Sequence, residues 1–431
     1  MSRPRYLVVQ CAALGWNLFD EADPVWDGLR FQPLRPPLPA VTCVAQASFR
    51  TAAPPSAHGM VANGRFYPEL ARPMFWEQSA ALVAGPRIWD DFRAAGGTVG
   101  LMFWQQSLGE NVDLVLSPRP IHKHSGGMLQ DCYSQPAGLY DELRAKVGRG
   151  FKLMHYWGPL ASRKSSEWIV DATLALLAMP ERCPDLLLTY LPHLDYDLQR
   201  HGPAHPKAQT ALRELRGYLR RLAAAAKADG RELLVWGDYA IHAVNGPAIF
   251  PNRALREAGH FRIRSLRGMA YPDFFSSPAF AIADHEIAHV HVRDAKDLPA
   301  VQTLLAQLDG VETVLARAEA GDLNHPHAGD LIAFARPGRW FAYPWWTDPR
   351  EAPDFATHVD IHNKPGFDPC ELFFGKRPWH VSQDTTKVGG SHGALGPQSQ
   401  AAWACTDPHF RPSEAIPSLT TLAKALRARL A

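Results

Sequence analysis

Thr42 stands where the run Leu38-Pro39-Ala40-Val41 should give way to a helix beginning Thr42-Cys43-Val44-Ala45-Gln46. A hydroxyl there meets backbone N–H groups without helical partners and the positive end of the helix, a natural site for a phosphate. Asn63, reached through the His58-Gly59 turn, brings a side-chain amide back toward the same anion. Both residues also have an ordinary reading, because a threonine before a helix commonly caps it and Asn-Gly commonly forms a turn. If Thr42 does chemistry, that chemistry is phosphoryl transfer, and its weakly nucleophilic hydroxyl needs a base or a cation beside it. Two carboxylates at strand ends are candidates: Asp195, in Thr189-Tyr190-Leu191-Pro192-His193-Leu194-Asp195, and Asp238, in Leu233-Leu234-Val235-Trp236-Gly237-Asp238.

The elements that must hold these residues follow from hydrophobic pattern. Tyr6 to Val9, Leu186 to Leu191 and Leu233 to Trp236 are continuous apolar runs of strand length, the pattern of strands covered on both faces. Between the last two, Leu212, Leu215, Tyr218, Leu219, Leu222 and Ala226 recur at helical spacing. Such strand–helix–strand units predict an α/β fold, a mostly parallel sheet sandwiched by helices, with functional groups at the carboxyl ends of strands. Two stretches read as inserted segments. Residues 108–150, rich in Pro, Gly, Ser and His, are expected to form a lid. Residues 261–346 are expected to form a small α+β cap, with strands over 287–292, 330–335 and 340–343 and a helix over 298–308. The core is then 1–260 with 347–431, closed by a helix over 413–430.

A chain of 431 residues with 46% hydrophobic and 20% charged residues has the composition of a globular protein with a sizeable core. A formal net charge of +2 speaks against a nucleic-acid polymer as partner. No run approaches a membrane span, and the N-terminus carries only a strand-length apolar segment, so a cytoplasmic protein without membrane association is expected. The six cysteines, scattered without paired spacing, suit reduced thiols, and Cys43 is expected to be a packing residue. Oligomeric state is not encoded in any of these features.

The spacing from Thr42 through Thr51-Ala52 and His58-Gly59 to Asn63 resembles the nucleophile region of the nucleotide pyrophosphatase/phosphodiesterase branch of the alkaline phosphatase superfamily. The resemblance implies that Thr42 is the nucleophile and that Asn63 binds a phosphoryl oxygen. It departs at Ala45, where relatives often carry Asn, and at Ala52, where they carry Gly. It further implies that Asp195 and Asp238 bind metal, and that His392, in Gly389-Gly390-Ser391-His392-Gly393, is the final imidazole ligand. Three ligands of the family pattern are replaced. Gln199 stands for a His, Tyr239 stands for a His, and the first strand ends in Cys11-Ala12-Ala13-Leu14-Gly15 without a carboxylate. His285, in Ala283-Asp284-His285-Glu286, and His362, which shares a face with Asp360 if that segment is extended, compete as replacements. His122, His124, His325 and His327 are expected to face solvent.

The function implied is a phosphoesterase acting on a small-molecule phosphate ester through a phospho-threonine intermediate. It would depend on one or two divalent ions, zinc first, with manganese and iron as alternatives. The alternative is a degenerate member that keeps the anion pocket for binding or assembly without turnover.

Overall fold

The computed structural model describes residues 3–124 and 126–431; Met1, Ser2 and Ser125, which fall in the expected core and lid ranges, lie outside the described residues. The strands that matter here are β1 (Tyr6–Cys11), β2 (Gln32–Leu34), β3 (Val99–Met102), β4 (Leu114–Pro118), β5 (Cys132–Gln135), β6 (Leu186–Leu191), β7 (Glu232–Gly237), β8 (Ala279–Asp284), β9 (Ile287–Val292), β10 (Val311–Ala316), β11 (Leu331–Ala335) and β12 (Ala401–Cys405). The principal helices are α1 (Thr42–Thr51), α2 (Leu139–Val147), α3 (Lys164–Leu177), α4 (His193–His201), α5 (Pro206–Ala228), α6 (Leu298–Ala306) and α7 (Leu419–Leu430).

An eight-stranded sheet in the order β5-β4-β3-β6-β1-β7-β12-β2 forms the centre of the α/β fold. The five strands from β4 to β7 are parallel, β5 at one edge and β12 beyond β7 run against them, and β2 at the other edge pairs antiparallel with β12 and so runs with the five. Every residue of β1 and β6 is buried, as their unbroken apolar sequences require when helices cover both faces. α5 buries Leu215, Tyr218, Leu219, Leu222 and Ala226 as one stripe. Because β1, β6 and β7 are parallel and in register, their carboxyl ends converge at Cys11, Leu191 and Gly237, and the loops leaving them meet above one edge of the sheet.

Residues 108–150 do not form the expected lid. They supply β4 and β5 to the central sheet, and α2 packs on α3. Leu114, Val115, Leu116, Leu139 and Leu143 are buried in the main core, so short apolar runs outweigh the polar composition around them. Within 261–346, four antiparallel strands in the order β8-β9-β11-β10 carry α6 on one face. The core beneath them also recruits Phe75, Ile249, Leu255 and Phe367 from beyond that range. Trp340 to Tyr343 is not a strand of this sheet; Phe341 makes a single bridge to Ile249, and its N–H bonds to His285 O. The last helix begins at Leu419, capped by the Ser418 hydroxyl, because Pro417 precedes it. Among the described residues no helix is long and apolar enough to cross a membrane.

Candidate active site

Val41 is extended at φ −137°, and Thr42 is the first residue of α1. Its side chain is buried, and Oγ1 lies 3.1 Å from Asp238 Oδ2 and 3.4 Å from the Tyr239 hydroxyl. Asp238 follows directly on β7. Its Oδ2 also accepts Gln10 Nε2 at 2.9 Å, from the end of β1, and its Oδ1 accepts the Ala13 N–H at 2.9 Å. Asp195 lies in the first turn of α4, just beyond β6. Its Oδ1 accepts the Tyr239 hydroxyl at 3.0 Å and its Oδ2 accepts Gln199 Nε2 at 2.7 Å, one helical turn on.

Asn63 is fixed from three directions. Its Oδ1 accepts the Cys43 N–H of α1 at 3.1 Å, its Nδ2 donates to Asp284 Oδ1 at 3.1 Å, and its backbone N–H donates to Asp284 Oδ2 at 2.7 Å. Asp284 closes β8, and His285 begins the two-residue turn into β9 at φ 60°, a conformation glycine adopts more readily. A histidine held there is a local cost, so the imbalance points to a use for its ring. His285 Nδ1 donates to Asp284 Oδ1 at 2.8 Å, and its ring stacks on Phe367 at 3.8 Å.

His392 approaches from the loop before β12. Its Nδ1 donates to Ala40 O at 2.7 Å, and Ala40 N–H returns a bond to Gly393 O, which ties this loop to the residues just ahead of Thr42. The ring lies flat on Tyr239, with centroids 3.5 Å apart and an interplanar angle of 4°, and 3.8 Å from the ring of His285. The site thus gathers Thr42, Asn63, Asp195, Asp238, His285 and His392. His362 stays outside: its ring is 44% exposed and bonds to Phe75 O. The segment is a turn rather than a strand, with Asp360 Oδ1 accepting the N–H groups of His362 and Asn363, so the shared face of Asp360 and His362 never forms. His325 and His327 are half-buried instead of solvent-facing, His327 against Gly59 O. Gln10, Tyr239, Gln199 and Asp284 complete the site. Gln10 had a visible signal, a polar residue closing an otherwise apolar first strand.

Burial pushes Asp195 up to about 6, opposed first by His285 and then by the Tyr239 and Gln199 bonds. Burial pushes Asp238 up to about 7, opposed by the Ala13 N–H and reinforced by Asp195. Burial, followed by the neighbouring His285, drives His392 well below its ordinary value, so its ring is neutral. A neutral ring whose Nδ1–H is given to a carbonyl keeps a bare lone pair on Nε2.

Among the described residues no three His, Cys, Asp or Glu side chains are gathered as a ready cage for a metal ion. The two halves of the site differ in what they offer one. On the Asp195 side, the Nε2 atoms of His285 and His392 are buried without any partner, and His392 Nε2 lies 4.0 Å from Asp195 Oδ1. Imidazoles whose Nδ1–H is tied back to a carboxylate or carbonyl are oriented as ligands are, so this half fits one cation. Asp195 and Asp238 alike have both carboxylate oxygens accepting protein donors, so the halves differ in their imidazoles: among the described residues no histidine ring bonds to Asp238, which is served by Gln10, the Ala13 N–H and Thr42. That half does not fit a cation.

A family model for type I phosphodiesterase / nucleotide pyrophosphatase matches residues 23–368. The fold is similar to that of phosphonoacetate hydrolase from Sinorhizobium meliloti 1021 in complex with phosphonoacetate, with a TM-score of 0.63 and 16% identity over 100% of this chain and 96% of that one. It is also similar to murine ectonucleotide pyrophosphatase / phosphodiesterase 5, with a TM-score of 0.59 and 14% identity over 99% of this chain and 95% of that one. The murine protein has also been solved as an inactive threonine-to-alanine form in complex with AMP.

Proposed function

The chain belongs to the type I phosphodiesterase / nucleotide pyrophosphatase family, and with it to the phosphoric ester hydrolases, and we propose that it cleaves a small-molecule phosphate ester with Thr42 as the nucleophile. The observation that carries this reading is the hydrogen bond of 3.1 Å from Thr42 Oγ1 to Asp238 Oδ2 at the first residue of α1. Asp238 takes the Thr42 proton as Oγ1 bonds to phosphorus, and the P–O bond to the ester oxygen breaks, releasing an alkoxide that takes its proton from water. Water then attacks the phospho-threonine and regenerates the alcohol. A carboxylate pushed up by burial is a better proton acceptor than one in water, which suits Asp238 to this role.

Asn63 holds a nonbridging oxygen. An amide carries two N–H bonds, and Asp284 takes one of them. The start of α1 adds the positive field of the helix N-terminus. A divalent ion, zinc or alternatively manganese or iron, would be held by His285, His392 and Asp195 and supply positive charge to the phosphoryl oxygens. The ligands of the structural neighbours, phosphonoacetate and AMP, are small phosphorus oxyanions, the substrate class proposed here.

The test is turnover of chromogenic aryl phosphate mono- and diesters by the wild type and by Thr42→Ala, with mass spectrometry of acid-quenched enzyme. Expected is activity lost in Thr42→Ala and a phosphorylated Thr42 peptide in the wild type. The saturated oxygens of Asp238 favour a second reading, an anion-binding member without turnover. AMP binding with no phosphorylated Thr42 and no product would select it.

A further inference from the structure

Tyr239 is the side chain at this site that the family pattern leaves without a role. Its hydroxyl donates to Asp195 Oδ1 at 3.0 Å and lies 3.4 Å from Thr42 Oγ1, so one phenol oxygen touches both the nucleophile and a carboxylate. The ring cannot drift, because it lies flat on His392 and the residue is 3% exposed. Asp238, the preceding residue, holds Thr42 from the other side. Two buried carboxylates flanking one alcohol normally require cations between them. Here the Asp238 side is served by Gln10, the Ala13 N–H and Thr42, and the Asp195 side by Tyr239 and Gln199.

We infer that Tyr239 is a positioning residue whose hydroxyl stands where a second cation would lie, so that the chain takes one divalent ion and not two. The inference rests on the proposed use of Thr42 as nucleophile, and it assigns the alignment of Oγ1 to its bond with Asp238 and its 3.4 Å contact with the phenol oxygen. Neutral donors around Asp238 relieve the carboxylate without the double charge of a metal. The phenol is also a poor replacement for the imidazole ligand that zinc prefers. The tie from Tyr239 to Asp195 sets the position of a residue on the metal-fitting half, while its contact with Thr42 sets the position of the attacking oxygen.

The experiment combines zinc stoichiometry, by titration calorimetry with elemental analysis of the dialysed protein, with steady-state kinetics on a chromogenic aryl phosphodiester. Tyr239→Phe removes only the hydroxyl and keeps the ring on His392. It should lower kcat about 10- to 100-fold, the scale of one lost site hydrogen bond, while KM stays within about twofold. The wild type should saturate at one zinc per chain. Tyr239→His, which restores an imidazole beside Asp238, should bind a second. Two zinc ions in the wild type, or a Tyr239→Phe variant with unchanged kcat, would overturn the inference. The zinc measurement stands even if the wild type shows no turnover, a result that would remove the proposed hydrolysis alone.

Discussion

Acid should unfold this protein partly through one histidine that joins α1 to the turn leading to Asn63. His58 is 1% exposed; its Nδ1 accepts the Met60 N–H at 3.1 Å, and Ser48 Oγ of α1 lies 2.9 Å from its Nε2. Because Nδ1 accepts, the single proton of the neutral ring sits on Nε2 and is donated to Ser48. A second proton would set an N–H against the Met60 N–H. Burial first, and then Arg50, lowers the His58 pKa from its ordinary value of 6.5 to about 3. In the unfolded chain the ring protonates near 6.5, while in the folded chain it does so only near 3. The stability His58 supports is therefore whole above pH 6.5 and is lost as pH falls toward 3. Each pH unit costs about 1.4 kcal/mol, so the loss is about 2 kcal/mol at pH 5 and about 3.4 kcal/mol at pH 4. Urea unfolding of the wild type and His58→Gln at pH 7.5, 5 and 4 measures it. The wild type should lose about 2 kcal/mol more than the variant by pH 5. His193, His289 and His291, also lowered chiefly by burial, titrate in both proteins and cancel in the difference. Parallel losses in the two proteins, or a His58 ring that titrates near 6.5 by NMR, would refute the argument.

Two further perturbations test how the surroundings hold the site. Lys364 is buried, with Nζ 2.7 Å from Asp368 Oδ2, 2.6 Å from Glu371 Oε1 and 3.0 Å from His358 O, in the segment that delivers Phe367 to His285. Lys364→Met strands two carboxylates and should cost about 3–5 kcal/mol in urea unfolding, with a smaller loss when Glu371→Leu is added. At Gly237, the residue before Asp238, a Cβ would overlap the Leu14 carbonyl oxygen, which already accepts the Ala402 N–H. Gly237→Ala should cost about 1–3 kcal/mol by overpacking, read by thermal unfolding, and should lower turnover by moving Asp238 off Thr42.

What the sequence disclosed and what it withheld divide along one physical line. β1, β6 and β7 are legible because a strand buried on both faces must be apolar throughout, and α5 is legible because its buried stripe has helical period. Thr42 at a helix start, and Asp195 and Asp238 beyond strand ends, follow from those elements directly. β4 and β5 escaped because each is short and lies in a stretch whose Pro, Gly and His content describes the turns between strands, not the strands themselves. The partners within the site escaped for a different reason, since each depends on pairing between distant segments. Gln10 reaches Asp238 only because β1 lies beside β7 in a register that sets it opposite Trp236.

Asp284 shows the same dependence more sharply, because its meaning is entirely tertiary. Read along the chain, Asp284-His285 is a polar pair before a strand. In the fold it becomes the turn of a hairpin whose tip enters the core site, with Asp284 bonded to Asn63 and His285 brought against His392. The Glu286 N–H donates to His392 O, so the same turn also fixes the backbone of the second imidazole. An inserted sheet that contributes an imidazole and orients two neighbours is bound into the site's chemistry as well as its access. Under the proposed one-ion reading, His285 would supply from outside the central sheet the imidazole that Gln199 replaces on the Asp195 side.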